Sequence, residues 1–174
     1  MKLALFTVCV FCSVLAKAEQ VAYVELAANA MPQKIADERF HLGVAELRAG
    51  AYLHNLIAIE FMGSIGAMDD TAVGLEQTLK SGYGVGLRFE SPSQDGTKAF
   101  IVLGYSSHSL ELTRESSGAT LADERFEGFA YGVGLEQRLS GDDGGFFMNI
   151  RGQRHYSSGE IDIDSVGVAL RYVF

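Results

Sequence analysis

The sequence contains few of the residues that crosslink or interrupt a chain. Its two cysteines, Cys9 and Cys12, lie in an apolar segment at the N-terminus, so the remainder cannot form disulfides, thiolate metal sites or a cysteine nucleophile. Tryptophan is absent, only two prolines occur, and no apolar run reaches the ~20 residues of a membrane-spanning helix. The net charge of -8, without any basic cluster, argues against a nucleic-acid partner.

The N-terminus has the pattern of an export signal. Lys2 precedes an apolar run from Leu3 to Leu15, and the small-x-small tripeptide Ala16-Lys17-Ala18 follows as a cleavage site. We therefore expect residues 1–18 to be a signal peptide and residues 19–174 to form one exported domain.

The rest of the chain alternates between apolar and polar residues with a period of two. At the C-terminus Val166, Val168, Leu170, Tyr172 and Phe174 point one way and the intervening residues point the other way. Helical periodicity is absent, and the 20 glycines are spread through the alternating segments. We predict eight strands, at about residues 20–29, 41–53, 56–66, 79–90, 98–110, 126–139, 146–157 and 162–174.

The predicted connections alternate in length. Those at His54-Asn55, Ser91 to Thr97 and Ser140 to Gly145 are short, and Asp95-Gly96 is a typical hairpin turn, whereas three of the other four connections are long. Short turns on one side and long loops on the other are typical of transmembrane barrels. The predicted fold class is therefore all-β, an eight-stranded antiparallel up-and-down transmembrane β-barrel with its short turns in the periplasm.

The two faces of the predicted strands favour an apolar exterior and a polar lumen. In the fourth strand Leu79 lies on the apolar face and Lys80 on the polar face, while in the fifth Phe100 and Val102 depart from the pattern by sharing the face of Gly104. A lysine or arginine facing lipid would cost ~2 to 4 kcal/mol at the midplane, so we expect charges to pair inside. Eight strands leave room only for side chains, which predicts a plugged lumen. The predicted lumen charge network is Glu46, Arg48, Glu60, Lys80, Arg88, Glu90, Glu136, Arg138, Arg151 and Arg171.

Four segments resemble the OmpA-like and OmpX-like small outer-membrane β-barrels. They are Leu47-Arg-Ala-Gly-Ala-Tyr-Leu53 with Ile57-Ala-Ile-Glu60, Gly82-Tyr-Gly-Val-Gly-Leu-Arg88, Gly128-Phe-Ala-Tyr-Gly-Val-Gly-Leu-Glu136 and Gly167-Val-Ala-Leu-Arg-Tyr-Val-Phe174. The resemblance implies an outer-membrane location and insertion by the outer-membrane assembly machinery, with Tyr172 and Phe174 as the assembly signal. It also implies contact with outer-membrane lipids and lipopolysaccharide, and a host or surface ligand at the loops.

For function, these observations favour a structural or surface-interaction role through the exterior loops, without catalytic residues, cofactor or metal. A narrow passive pore for small solutes is the alternative. A third reading is lipid A deacylation, because His155-Tyr156-Ser157 resembles the histidine and serine of lipid A deacylase barrels, although Glu160 follows the serine closely. The loop acids at Asp69-Asp70 and from Glu160 to Asp164 lack the spacing of a dedicated calcium loop.

Overall fold

Antiparallel strands make up most of the chain, as the alternating pattern predicts. The computed structural model describes residues 22–35, 38–72, 74–140, 145–158 and 161–174. The predicted signal peptide 1–18, Glu160 and most of the predicted turn from Ser140 to Gly145 lie outside these residues. In the described part of the chain, no helix has the length and apolar character needed to cross a membrane.

Eight long strands close into a barrel. The sheet order is β3-β2-β1-β9-β8-β7-β6-β5-β4, and pairing of Ile57–Ser64 in β3 with Gly82–Phe89 in β5 joins its two sides. The short strand β4 forms a hairpin with β5 beyond the barrel wall. The predicted eight-stranded antiparallel barrel is thus confirmed. The strands are β1 (Ala22–Ile35), β2 (Glu38–His54), β3 (Ile57–Met68), β4 (Asp70–Ala72), β5 (Leu75–Glu90), β6 (Thr97–Arg114), β7 (Ala119–Arg138), β8 (Gly145–Ser158) and β9 (Ile161–Val173).

The connections on the two sides of the barrel differ in form. On the short-turn side, which we call the lower side, Asp95 and Gly96 adopt φ angles of 51° and 79°, as a tight hairpin requires. On the upper side the prediction of long loops is wrong for two connections. The β1–β2 ladder continues to Ile35 and Glu38, and the β6–β7 ladder to Arg114 and Ala119. The strands on this side extend further than the alternating pattern predicted.

Strand β1 continues past its predicted end at about residue 29 and includes Pro32. Pro32 pairs with His41 of β2, but the β1–β9 ladder passes from Ala30 and Val166 directly to Gln33 and Ile163. Proline has no N–H to donate, so it is tolerated where no ladder bond is required from it.

Two β-bulges change which face of a strand points inward. One interrupts the β5–β6 ladder between Leu79 and Ser81, and the other interrupts the β8–β9 ladder between Arg154 and Tyr156. A bulge inserts one extra residue and so reverses the inward and outward alternation beyond it. Both bulges lie in the upper half of the barrel.

The barrel interior is divided into three layers. Tyr23, Tyr52 and Phe147 form an aromatic cluster with Ala58 and Val173 at the lower end. Charged and amide side chains occupy the middle. An apolar cluster closes the upper end, and Tyr156 and Ile161 pack against it. This upper cluster consists of Met31, Leu42, Val44, Leu79, Leu110, Phe126 and Ile163.

Candidate functional site: the lumen and the exterior rim

The upper half of the charged layer is organised around Glu60 on β3. Glu60 accepts hydrogen bonds from Arg48 Nη1 on β2 at 2.6 Å and from Arg151 Nη1 on β8 at 2.8 Å. The Tyr23 hydroxyl on β1 donates to its second carboxylate oxygen at 2.8 Å. Arg151 also pairs with Glu25 on β1, at 3.2 Å between Nη2 and Oε1. One carboxylate therefore joins side chains from three other strands.

The lower half of the charged layer is a ring of two arginines and two glutamates. Arg88 donates from Nε to Glu90 at 2.8 Å and from Nη2 to Glu136 at 2.9 Å. Arg171 donates from Nη1 to the same oxygen of Glu90 at 2.8 Å and from Nη2 to Glu136. Lys98 Nζ adds a further cation to Glu90 at 3.0 Å. The four side chains are thus held by charge-assisted hydrogen bonds in a closed circuit.

The buried charges of the lumen balance in number. Each buried acid or base of the charged layer has an opposite charge within 4 Å. Buried charges are stable only when they are paired and hydrogen-bonded, so this pairing explains how the interior tolerates them. The five acids are Glu25, Glu46, Glu60, Glu90 and Glu136, and the five bases are Arg48, Arg88, Lys98, Arg151 and Arg171.

Eight of the ten residues predicted for the lumen network lie in this layer, and two others were missed. Glu25 and Lys98 belong to it although the sequence reading did not include them. Glu25 lies two residues after Tyr23 on the inward face of β1, and Lys98 lies two residues before Phe100 on the inward face of β6. The period-two pattern would therefore have found both.

Lys80 is not part of the lumen, and the prediction that placed it there is wrong. The β5 bulge after Leu79 reverses the alternation, so Leu79 is buried in the upper apolar cluster and Lys80 is exposed. Lys80 Nζ instead forms ion pairs with Glu111 at 2.8 Å and Asp123 at 2.9 Å on the exterior. A hydrogen bond from Lys80, and to a smaller extent one from Thr120, lowers the pKa of the Glu111 carboxyl below its ordinary value.

Arg138 lies at the lower mouth of the barrel. It is the last residue of β7 and half-buried, and its guanidinium carbon lies 5.4 Å from the centre of the Phe147 ring. Cations at this distance from an aromatic face are attracted by its quadrupole. Arg138 therefore lies with the aromatic side chains at the lower end of the barrel.

The apolar residues that break the pattern in β6 fill the space between the charges. Phe100 points inward, and the guanidinium carbon of Arg88 lies 3.7 Å from its ring centre, with that of Arg151 at 5.0 Å. The glycines opposite make room for these side chains. A cavity of about 20 Å³ remains beside Arg48 and Glu60, which is room for about one water molecule.

Two histidines lie above the charged layer. His155 shares a 2.9 Å hydrogen bond between Nε2 and Ser165 Oγ, and its ring lies 4.6 Å from that of His108 in an edge-to-face arrangement. Ser157, by contrast, is exposed and donates from Oγ to Asp162 at 2.7 Å. The β8 bulge separates them, so His155 and Ser157 do not share a strand face.

A belt of exposed apolar side chains surrounds the barrel. Leu103, Val133 and Ile150 belong to it, and single apolar residues alternate with the inward polar ones on every long strand. Such a belt, with aromatic residues at both rims, is the lipid-facing surface of a transmembrane barrel. The upper rim carries Tyr83, Tyr105, Phe129 and Tyr131, and the lower rim carries Phe146, Tyr172 and Phe174.

The residues predicted as the assembly signal lie together at the lower rim. The Tyr172 and Phe174 rings are 5.1 Å apart, and Phe146 lies 5.0 Å from Tyr172 on the other side. The Phe174 N–H donates to the carbonyl of Ala22, which fixes the C-terminus against β1. In the described ranges no group of three or more histidine, cysteine, aspartate or glutamate side chains could hold a metal ion.

Comparison with known proteins identifies the fold. Neither protein-family models nor the sequences of curated proteins match this chain. Among solved structures, Ail of Yersinia pestis is similar, with a TM-score of 0.66 and 12% identity over 90% of this chain and 100% of Ail. Neisserial surface protein A has a TM-score of 0.65 and 11% identity, covering 88% of this chain and 97% of that protein. The N-terminal barrel domain of Pseudomonas aeruginosa OprF has a TM-score of 0.58 and 11% identity, covering 89% and 98%. The chain has the fold of the small eight-stranded OmpA-like and OmpX-like outer-membrane β-barrels, and its apolar belt and aromatic rims are typical of a barrel that spans a membrane.

Proposed function

We propose that this barrel is closed to solutes and acts in the outer membrane as a structural or surface-interaction protein through its upper hairpins. The observation that carries the proposal is the lumen, in which ten buried charges bind one another across strands. The ion pair of Arg48 with Glu60 links β2 to β3 inside the lumen, and the pair of Arg151 with Glu60 extends this cluster to β8. Aromatic side chains below and apolar side chains above enclose this layer. A hydrated ion would have to displace several of these bonds to pass.

The upper surface supplies the chemistry for the surface interaction. Among the described side chains above the belt, acids outnumber bases. This charge favours cationic partners, or divalent ions that bridge to lipopolysaccharide phosphates. The acids are Asp69, Asp70, Glu76, Glu111, Glu115, Asp123, Glu124, Glu127, Asp162 and Asp164, and the bases are Lys80, Arg114, Arg125 and Arg154.

One protein of similar fold has been solved with an anionic ligand, whereas the acidic upper surface of this chain favours cations. Ail of Yersinia pestis has been solved in complex with the heparin analogue sucrose octasulfate, a polyanion. For this chain we propose a surface ligand at the upper hairpins as well, but one that the acidic side chains would attract. The outer-membrane assembly machinery is a further proposed partner, at the aromatic lower rim with Tyr172 and Phe174.

Catalysis has no place in this proposal. Lipid A deacylation would require His155 to activate Ser157, and a histidine activates a serine only within hydrogen-bond reach. His155 instead hydrogen-bonds Ser165 inside the lumen, and Ser157 donates to Asp162 on the outside. An acyl chain in the surrounding lipid reaches the exterior face, where His155 is not available.

Single-channel recording in a planar bilayer tests the closed lumen. The refolded protein should insert without conducting, and its fold in vesicles should be confirmed by circular dichroism so that silence is not mistaken for failed insertion. Stepwise openings of the unaltered protein would overturn the closed lumen and make it a narrow pore.

A further inference from the structure

Two of the four histidines of the chain are fully buried and contact each other in the upper lumen. The rings of His108 on β6 and His155 on β8 lie edge to face, with their centres 4.6 Å apart and their planes at 77°. The other two histidines, His41 and His54, are exposed. The buried pair lies between the charged layer below and the apolar cluster above, which Leu110 joins from the same face of β6 as His108.

Irregular features of two strands create the place that this histidine pair occupies. His155 is the residue that the β8 bulge adds, since its neighbours Arg154 and Tyr156 both have partners in β9. Opposite His108, β5 has Gly82, and a Cβ at that glycine would lie 2.4 Å from His108 Nδ1. The bulge and the glycine therefore let two rings meet where a regular, filled strand face would leave no room.

The ring nitrogens of the pair have few hydrogen-bond partners. His155 Nε2 shares the 2.9 Å hydrogen bond with Ser165 Oγ, but its Nδ1 has no partner among the described residues. Neither nitrogen of His108 has a partner in the same part of the chain, and nor does Ser64 Oγ, which also borders Gly82. A buried polar group without a hydrogen bond costs free energy. This level of the lumen is therefore held less tightly than the charged layer beneath it.

Among the described residues, no acid is placed to stabilise a protonated ring of the pair. The charge that acts on both rings is that of Arg48 on β2. The acids of the adjoining strands, Glu46 on β2 and Glu60 on β3, both bind Arg48. A positive charge on either ring would face Arg48 and the other ring without a counter-charge of its own. The buried residues of the other strands at this level are uncharged, namely Met31 on β1, Ser64 on β3, Gly82 on β5, Phe126 on β7, Gln153 on β8 and Ser165 on β9.

The pair lies above the belt that faces lipid. Arg125, on the strand paired with the His108 segment, and Arg154, directly before His155, both lie on the outer surface. There Arg154 Nε binds Asp164 Oδ1 at 2.7 Å. Charged side chains on the outer surface are typical of the part of a strand that has left the hydrocarbon layer. Water and protons from the exterior therefore reach the pair whenever the upper end of the lumen opens.

We propose that the buried histidine pair is an acid-sensitive switch, which keeps the upper lumen packed at neutral pH and loosens it when the rings are protonated. In an opened lumen the imidazoles would meet water and ionise with an ordinary pKa of ~6.5, whereas in the packed lumen Arg48 and the second ring oppose the charge. The open form therefore binds protons more readily, so it gains population as the pH falls below that value. The switch goes beyond the proposed function, because it is a change of state that needs no partner.

The switch is confined to the upper part of the barrel. The ring of two arginines and two glutamates in the lower half of the charged layer is held by its own hydrogen bonds. Below it, the aromatic cluster closes the lower end and contains no histidine. We therefore expect the lumen to stay closed below when the upper part loosens.

Hydrogen exchange at two pH values tests the switch. The full barrel in lipid nanodiscs is compared at about pH 7.5 and about pH 5, as protection factors, which remove the intrinsic pH dependence of exchange. Protection of residues 106–110 and 153–157 should fall on the order of thirtyfold for each ring that ionises on opening, because pH 5 lies about 1.5 units below the ordinary pKa. Residues 99–103 and 147–151, in the lower half, should keep their protection. Unchanged protection of the upper ranges would overturn the switch.

Substitutions assign the effect to the buried pair. His108→Phe keeps a ring where neither nitrogen has a partner in the described chain, and His155→Gln keeps a polar group for Ser165. Either variant should reduce the acid-induced loss of protection, and the double variant should abolish it. His108→Asn provides the same test if the phenylalanine is too large to fold. The matched control, His41→Gln with His54→Gln, removes the exposed histidines and should respond to acid as the unaltered barrel does.

Two results with these variants would contradict the proposal. An undiminished loss of protection in the double variant would mean that carboxyl groups, and not the histidines, respond to acid. A gain of protection by the unaltered protein at about pH 5 would mean that Glu46 turns to a protonated ring and stabilises it. Either result would overturn the switch.

Conductance of the same preparations separates the switch from the closed lumen. A barrel that is silent at both pH values, and loses protection only in its upper half, supports both proposals. Openings at about pH 7.5 would overturn the closed lumen and leave the switch to be judged by hydrogen exchange. Openings confined to about pH 5 would show that the lower ring opens too, which would overturn a switch confined to the upper part.

Discussion

Replacing Glu60 with alanine should strongly destabilise the barrel. Glu60 is buried and accepts hydrogen bonds from Arg48, Arg151 and the Tyr23 hydroxyl, all within 2.8 Å at their shortest. Its removal leaves both arginines buried with fewer counter-charges. Arg48 retains Glu46, and Arg151 retains Glu25, so the loss is partial for each cation.

The expected loss follows from these contacts. Removing one partner of a buried ion pair costs about 3 to 5 kcal/mol, mostly because the remaining charge is left in a poorly solvated site. The retained glutamates place the Glu60→Ala variant near the lower end, at ~3 kcal/mol. The chain contains no tryptophan, so urea unfolding in lipid vesicles is followed by tyrosine fluorescence and by circular dichroism.

Two further variants make the result specific. Glu60→Gln keeps the shape and one acceptor oxygen, so its loss should lie between those of the unaltered protein and Glu60→Ala. Lys80→Ala removes a charge from an exposed exterior pair and should leave the unfolding midpoint nearly unchanged. The reasoning is refuted if Glu60→Ala unfolds at the same urea concentration as the unaltered barrel.

Three other predictions follow from the geometry. Gly134→Ala should lower the free energy of unfolding by ~1 to 3 kcal/mol in the same urea assay, because its Cβ would meet the Ile150 carbonyl oxygen at 2.6 Å; Gly152→Ala, with nothing within 4 Å, should not. The Glu111 carboxyl should titrate below a glutamate in an unstructured peptide when followed by carbon NMR, so the stability that it adds is present at neutral pH and is lost as the pH falls through that lowered pKa; titration at the ordinary value would contradict the pairing. Lipid A from cells overproducing the protein should keep all its acyl chains by mass spectrometry, and loss of a chain would instead support an enzyme that uses His155.

The sequence predicts the middle of the barrel well. Where one face of a strand meets lipid and the other meets a narrow lumen, each residue has a single acceptable side, and the alternation reports that side directly. Glu136 and Arg171 lie inward and Leu135 and Leu170 outward, as their positions in the pattern predict. The pairs that such charges form inside, such as Arg48 with Glu60, follow from a lumen too narrow to keep them apart.

The upper half of the barrel was harder to predict. The bulge at Lys80 depends on how β5 meets β6, and no residue type in β5 by itself marks it. Strand extension beyond the membrane also escapes the pattern, because water on the exterior removes the contrast between the two faces. The chain therefore alternates less clearly from Arg114 to Phe126, although this part is regular β-structure.

The balanced lumen also constrains how the protein folds. The partners of Glu60 come from β1, β2 and β8, and Arg151 is 91 residues away along the chain. A hairpin that entered the bilayer alone would carry these charges without their counter-charges, at a cost that lipid does not offset. We therefore expect individual hairpins to have no stable inserted state, and insertion and barrel closure to take place as one cooperative event. Such assembly is expected of a lumen whose charges are balanced only when all strands are in place.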